Sequence, residues 1–103
     1  MEASIESAIM SLNHQIRKLE IQVDIIRIIK EICREIHQEF RSIQPQTRLS
    51  LDLDFESLEL IQLILNLEKK YKISADITDI LMRSSRGKED ITIEEIVNLI
   101  ESE

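Results

Sequence analysis

The first quarter of the chain has apolar residues that recur every three or four positions. Successive members are spaced by 4, 3, 4, 3, 4 and 3 residues, and we call this set the seam: Ile5, Ile9, Leu12, Ile16, Leu19, Val23 and Ile26. Such spacing is the a/d repeat of a coiled coil, sustained here over about three heptads. The pattern predicts either a homodimer through residues 1–26 or packing of the seam on its own domain. Self-association is favoured, because the seam is narrow and regular.

A second apolar stripe follows on the same predicted helix. It consists of Ile25, Ile29, Ile32, Ile36, Phe40 and Ile43. Residues 4–43 contain neither Gly nor Pro, which predicts one very long helix, or two with a bend. At about 1.5 Å per residue this helix would be roughly 60 Å long, more than a domain of this size can cover. We therefore expect a helical extension over residues 1–20, which folds back or finds a partner, and a helical domain over residues 21–103.

The pattern after Pro45 predicts a loop and three shorter elements. The loop spans residues 44–56, with short apolar anchors at Leu49, Leu51 and Leu53. The helix that follows, over residues 57–70, has one apolar face for the core and a second apolar stripe on another side. The core-facing set is Leu60, Leu63, Ile64, Leu67 and Tyr71, and the second stripe is Leu58, Ile61 and Leu65.

Capping residues mark the last two elements. A short helix or turn is predicted over residues 76–82, with Asp76 as its N-cap. Thr92 and Glu95 form the S/T-x-x-E pattern of a capping box, which predicts a final helix through about Glu101. The predicted fold class is all-α: a bundle of three to four helices with a long N-terminal helix.

Composition and charge narrow the range of functions. The chain has 103 residues, one Gly, one Pro and a net charge of −7. Its length suits one domain, and the scarcity of turn residues speaks against a sandwich or barrel. An acidic surface repels phosphate backbones and anionic lipids, so we expect neither nucleic acid nor membrane as a partner. No apolar stretch is long enough to span a bilayer, and the N-terminus lacks the basic region of a secretory signal. We expect a cytoplasmic protein.

No catalytic site can be assembled from the sequence. His14 and His37 are far apart, and neither lies near a nucleophile motif. Cys33 and His37 are four residues apart on a helix, but two such ligands do not close a zinc site. Cys33 lies in an isoleucine-rich stretch and is interpreted as a buried structural thiol. We expect no metal and no enzymatic activity.

The most informative stretch spans residues 47–73, T-R-L-S-L-D-L-D-F-E-S-L-E-L-I-Q-L-I-L-N-L-E-K-K-Y-K-I. It resembles the acyl carrier protein family, whose attachment site reads roughly D-L-G-x-D-S-L and precedes an acidic helix ending L-E-x-x-F. The matching residues are Asp52-Leu53, Ser57-Leu58, and Leu67-Glu68 with Tyr71. Residues 92–100 look like the family's last helix, and the resemblance covers about residues 22–102.

The resemblance implies that 4′-phosphopantetheine is attached to Ser57 and carries acyl or aminoacyl groups as thioesters. It further implies a phosphopantetheinyl transferase and acyl-loading or synthase enzymes as partners, in fatty acid or polyketide biosynthesis. The residues expected to be read by partners are Glu56, Leu58, Glu59, Ile61, Leu65 and Glu68. Independently of the resemblance, a helix start favours a nearby anion such as a phosphodiester, because its backbone N–H groups are unpaired.

Several departures from the family pattern indicate a specialised carrier. Glu56 replaces the family's Asp before the serine, and Asp54 replaces its Gly. Because Glu is a weaker N-cap than Asp, Asp54 is an alternative cap for the helix. Two positions that are usually acidic are Gln62 and Lys69.

Alternative interpretations remain open on the sequence alone. Ser57 is also a common type of residue for a helix start. The stripe of Leu58, Ile61 and Leu65 could be covered by the N-terminal extension instead of meeting partners. The competing function is an unmodified helical interaction module, which keeps the carrier fold and dimerises through its N-terminal helix.

Overall fold

The computed structural model describes residues 2–35, 42–84 and 89–102. Within these ranges the chain forms four helices: α1 (Glu2–Glu35), α2 (Ser57–Glu68), α3 (Ala75–Arg83) and α4 (Ile93–Glu101). The described residues contain one isolated antiparallel bridge, between Arg48 and Thr92, and no strand. The fold is therefore the predicted all-α bundle with a long N-terminal helix.

Helix α1 is unbroken and has two apolar faces with different environments. Its 34 residues correspond to about 51 Å, close to the 53 Å long axis of the molecule. The second stripe enters the core at Ile25, Ile29 and Ile32, together with Ile21 just before it, and all four are at most 2% exposed. The seam residues from Ile5 to Val23 lie outside the core. Ile26, the last residue of the seam, is half-buried and packs against the core. The extension makes no turn, but it contacts its own domain at His14, whose Nε2 lies 2.6 Å from a carboxylate oxygen of Glu101.

The predicted continuation of this helix to residue 43 is wrong. Residues 42–44 lie outside any helix, and Ile43 packs half-buried against the core from this loop. Pro45 accounts for part of the difference, because a proline disfavours helical geometry in the residue before it. The predicted stripe positions Ile36 and Phe40 lie outside the described residues.

The core joins all four helices and the loop before α2. Its fully buried large side chains come from the second stripe of α1, from the predicted face of α2, from α3 and α4, and from Leu49 and Phe55 in the loop. Helix α1 packs against α2 and α4, while α3 packs against α2. The predicted anchors Leu49 and Leu53 are buried, whereas Leu51 is 67% exposed and was wrongly assigned as an anchor.

Two helix starts test the capping predictions. At α4 the Thr92 hydroxyl oxygen accepts from the Glu95 N–H at 3.2 Å, and the Glu95 carboxylate accepts from the Thr92 N–H at 3.3 Å. The predicted capping box is confirmed. Asp76 is not the N-cap of α3, because Ser74 takes that position and accepts from the Ile77 N–H at 3.2 Å. Asp76 lies in the first turn of α3, where its negative charge interacts favourably with the helix dipole.

Cys33 is buried as predicted, and burial raises the pKa of its thiol. His37, its suggested neighbour, lies outside the described residues. Across residues 2–35, 42–84 and 89–102, no group of three His, Cys, Asp or Glu side chains could hold a metal ion. None of the described helices is both long and apolar enough to cross a membrane.

Candidate functional site

Ser57 is the first residue of α2 and is exposed. Glu56 before it is the N-cap, with extended backbone angles of φ −105° and ψ −173°. The Glu56 carbonyl accepts the first helical hydrogen bond, from the Leu60 N–H at 3.0 Å. The Ser57 side chain therefore lies at the positive end of the helix dipole, where an anion is stabilised.

A capping interaction fixes this helix start. The Glu59 carboxylate accepts from the Glu56 N–H at 2.9 Å, which is the return half of a capping box. The suggestion that Asp54 caps α2 is wrong, since the N-cap is Glu56, two residues after it. Glu59, predicted as a partner-recognition residue, thus has a structural contact as well as a charge.

Asp54 lies in the left-handed backbone region, with φ 57°. This is the position at which the family pattern has Gly, the residue that adopts positive φ without steric penalty. Asp and Asn are among the few other residues that visit this region routinely. The Asp54 N–H donates to the Ser50 carbonyl at 2.9 Å, and the Phe55 N–H donates to the Leu49 carbonyl at 2.9 Å. The turn therefore closes without Gly and directs Phe55 into the core.

Asp90, which lies between α3 and α4 in the sequence, holds the loop before Ser57 in place. One oxygen of its carboxylate accepts from the Ser50 N–H at 2.9 Å, and the other accepts from the Leu51 N–H at 3.0 Å. The Leu49 N–H donates to the Ile91 carbonyl at 3.0 Å beside this contact. Asp90 could not be identified from the sequence, because its partners lie about forty residues earlier and no local pattern relates them.

The predicted recognition residues on α2 form an exposed apolar strip beside acidic groups. Leu58, Ile61 and Leu65 are 62%, 43% and 55% exposed. The N-terminal extension does not cover them, which answers the alternative raised from the sequence. Glu56 and Glu68 are also exposed, whereas Glu59 is half-buried.

Gln62, one of the positions where the family is usually acidic, differs from these exposed groups. It is half-buried in a groove of about 520 Å³ between α1 and α2. Its buried side-chain oxygen has no hydrogen-bond partner. Gln62 is uncharged and half-buried, so it does not supply the exposed negative charge of the family pattern.

Asp24 of α1 ties the other end of α2 to the bundle. Its carboxylate accepts from Lys70 Nζ at 2.7 Å and from Arg27 at 2.7 Å, and also from the Tyr71 hydroxyl. Residues just after α2 meet α1 at residue 24, and Gln62 and Ile32 line the same groove between the two helices. Ser57 lies at the opposite end of α2 from this cluster.

The buried carboxylate of Asp24 has a perturbed titration. Burial alone would raise its pKa, but hydrogen bonds from Lys70 and Tyr71 and the charges of Lys70 and Arg27 outweigh it and lower the pKa. Burial together with the carboxylate of Asp24 raises the pKa of Tyr71 to about 12. Sequence analysis did not identify this cluster, which lies far from Ser57 and stabilises the bundle.

The residues at the start of α2 fit a covalently attached anionic group. An exposed hydroxyl lies at the positive end of a helix, so a phosphodiester there needs no buried cation. The acidic and apolar side chains around Ser57 are exposed enough to contact other proteins. This arrangement suits an acceptor of a prosthetic group.

Comparison with known families agrees with this chemistry. The family model described as the phosphopantetheine attachment site matches residues 23–87, more than half of the chain. The matched region includes α2, the loop before it and the core-facing part of α1. Comparisons with curated proteins and with solved structures gave no significant match.

Proposed function

This chain belongs to the phosphopantetheine attachment site family, and from that premise we propose that it is a specialised carrier protein modified at Ser57. The family's prosthetic group is covalent 4′-phosphopantetheine, which is transferred from coenzyme A. In the proposed function the modified chain carries acyl or aminoacyl groups as thioesters, in fatty acid or polyketide biosynthesis in the cytoplasm. The partners are a phosphopantetheinyl transferase and acyl-loading or synthase enzymes.

The observation that carries the choice of Ser57 is its position. Its hydroxyl is exposed at the N-terminus of α2, directly after the N-cap, in register with the attachment pattern of the family. The neighbouring Ser50 is half-buried within the tethered loop. Ser57 Oγ would form the phosphodiester bond as the adenosine-containing half of coenzyme A leaves, with the partner enzyme removing the hydroxyl proton.

The carrier's own residues then present the arm and do not react. The arm supplies the thiol that forms thioesters. The exposed strip of Leu58, Ile61 and Leu65 offers an apolar contact area, and the acidic groups Glu56 and Glu68 at its edges attract basic partner surfaces. Recognition by this surface belongs to the same proposal.

Intact mass spectrometry tests the proposal directly. The purified chain is incubated with coenzyme A and a broad-specificity transferase, with an unrelated carrier as the positive control. We expect the wild type and Ser50→Ala to gain one phosphopantetheine mass, and Ser57→Ala to gain none. Ser50→Ala is a matched control because it removes a nearby serine hydroxyl, in the loop before α2.

Two results would contradict the proposal in different ways. A Ser57→Ala chain that still gains the mass would mean that the attachment site is elsewhere. A wild-type chain that gains no mass, while the positive control is modified, would favour the unmodified interaction module.

A further inference from the structure

The seam on α1 remains uncovered in the single chain. From Ile5 to Val23 its side chains are 46% to 62% exposed. Helix α1 runs without interruption from Glu2 to Glu35, so no turn brings another part of this helix over the seam. A continuous apolar strip of this kind marks an interaction site or an aggregation hazard.

We propose that the seam pairs with the seam of a second copy of this chain in a parallel two-stranded coiled coil over residues 5–26. This inference goes beyond the carrier function and does not depend on modification of Ser57. Most of the paired segment precedes the matched family region, which begins at residue 23.

The residue types in the centre of the seam favour two parallel strands. The spacing places Ile9, Ile16 and Val23 at a positions and Leu12 and Leu19 at the d positions between them, while Ile5 and Ile26 occupy the two outer d positions. β-Branched residues at a with Leu at d are the combination that selects a parallel dimer. A second copy supplies this combination in the same register.

The flanking residues are compatible with this pairing. In a parallel dimer each g residue faces the e residue of the next heptad on the partner chain. The two charged instances here are Gln15 opposite Glu20 and Gln22 opposite Arg27. Neither pair brings like charges together, so the identical chain is not rejected electrostatically.

The domain leaves room for the second helix. Ile21 and Ile25 are almost fully buried in the core, while Val23 between them is 61% exposed on the far side of α1. A shallow groove of about 350 Å³ follows the seam, lined by Ile16, Leu19 and Val23 and bordered on the domain side by Asp24 and Lys70. A partner helix can therefore lie along α1 without displacing the carrier domain.

Sedimentation equilibrium on the full chain tests self-association. We expect the wild type to have twice the 12.1 kDa mass of one chain. Leu12→Asp/Ile16→Asp places like charges across the seam, and we expect the dissociation constant to rise by at least about 100-fold. Met10→Asp/Ser11→Asp is the matched control, because it adds the same charge at exposed positions outside the seam and should remain dimeric.

A disulfide cross-link tests the orientation. In a parallel dimer, Ile5→Cys places two introduced thiols opposite each other, and mild oxidation should link the chains. In an antiparallel dimer residue 5 lies opposite about residue 23, so the introduced thiols are roughly 27 Å apart and do not bond. Met10→Cys, outside the seam, should cross-link much less under the same conditions.

The results distinguish between the possible partners of the seam. A monomeric wild type would overturn the proposal and leave the seam for a different protein. A trimer or tetramer, or a seam variant that stays dimeric while its domain remains folded by circular dichroism, would also overturn it. Dimers without the Ile5→Cys cross-link would rule out the parallel arrangement. None of these readouts depends on modification of Ser57.

Discussion

Asp54 shows how a single acidic residue occupies a backbone position that the carrier pattern gives to Gly. With φ 57° it accepts a conformation that most side chains avoid, and its N–H closes the turn onto Ser50. The substitution therefore preserves the path of the loop into α2. The sequence shows that Asp replaces Gly at this position. It does not show that the fold tolerates Asp there, because that depends on the backbone conformation of the turn.

Substitutions at Asp54 should separate backbone conformation from charge. We expect Asp54→Gly to keep the free energy of unfolding within about 0.5 kcal/mol, and Asp54→Val to lower it by about 1–2 kcal/mol, because a β-branched residue is disfavoured at positive φ. Urea unfolding measures both changes. Equal stability of the two variants would contradict a left-handed conformation at this position.

Asp90 is predicted to position the loop that leads to Ser57. Asp90→Ala leaves the Ser50 and Leu51 N–H groups without their acceptor, so we expect a loss of about 1–3 kcal/mol in stability and slower modification. Asp90→Asn retains one carbonyl oxygen and should fall between Asp90→Ala and the wild type. Thermal unfolding and the transferase rate are measured on the same samples. Unchanged values in both assays for Asp90→Ala would remove this role.

At the scale of the element, the start of α2 combines a capping contact with the charge that we propose partners recognise. The Glu59 carboxylate both accepts from the Glu56 N–H and adds negative charge near Ser57. A charge reversal at this residue therefore changes two properties at once. Glu68 is the last residue of α2 and is exposed. It lies too far from the first turn to cap the start of the helix.

Two substitutions of Glu59 should separate these properties. Glu59→Gln keeps a capping-box acceptor and removes the charge, so we expect a change in stability below about 0.5 kcal/mol and slower modification. Glu59→Lys loses both and should destabilise the chain by about 1 kcal/mol. The measurements are urea unfolding and the transferase kcat/KM at low and high salt. Modification of Glu59→Gln at the wild-type rate, with no salt dependence in the wild type, would contradict steering by this charge.

Local patterns predicted the elements better than their ends. The apolar spacing located α2 and α4, and the Thr92–Glu95 box marked the start of α4. At α3 both Ser74 and Asp76 are capping residue types two positions apart, and the hydrogen bond to Ile77 that decides between them is a property of the folded turn. Leu51 appeared to be an anchor because alternation along a loop cannot reveal which side chain faces the core.

At the scale of the whole molecule, Asp24 connects α1 to the residues that follow α2. The Tyr71 hydroxyl that it binds lies 47 positions away in the sequence. Among the apolar residues of α1, Asp24 resembles any solvent-facing polar position, so its burial could not be predicted. Long-range contacts of this kind, like those of Asp90, depend on how the helices pack.

The Asp24 cluster should make stability depend on pH at both extremes. Because its native pKa is lowered, the contribution of Asp24 is complete above the unfolded value of about 4 and is lost as the pH falls through the native pKa. The raised pKa of Tyr71 has the opposite sense: its contribution is complete below about pH 10 and is lost as the pH rises toward about 12.

Asp24→Asn tests this linkage. We expect the free energy of unfolding to fall by about 1–2 kcal/mol at neutral pH, since the ion-pair partners are largely exposed, and to depend less on pH below about 4. Asp79→Asn removes an exposed ion pair with Arg83 and is the matched control. Urea unfolding at several pH values gives both curves. Equal acid sensitivity of the wild type and Asp24→Asn would contradict the assignment.

Because Cys33 is buried, the thiol of the prosthetic arm would be the reactive sulfur of a modified chain. Cys33 is 6% exposed, and the raised pKa of its thiol keeps the thiolate scarce at neutral pH. In the proposed function, an acyl group on the arm would therefore be protected from exchange onto the protein's own side chain. An alkylating reagent added to the folded, unloaded carrier would consequently count prosthetic arms, and the fraction of labelled protein would equal the fraction that had been modified.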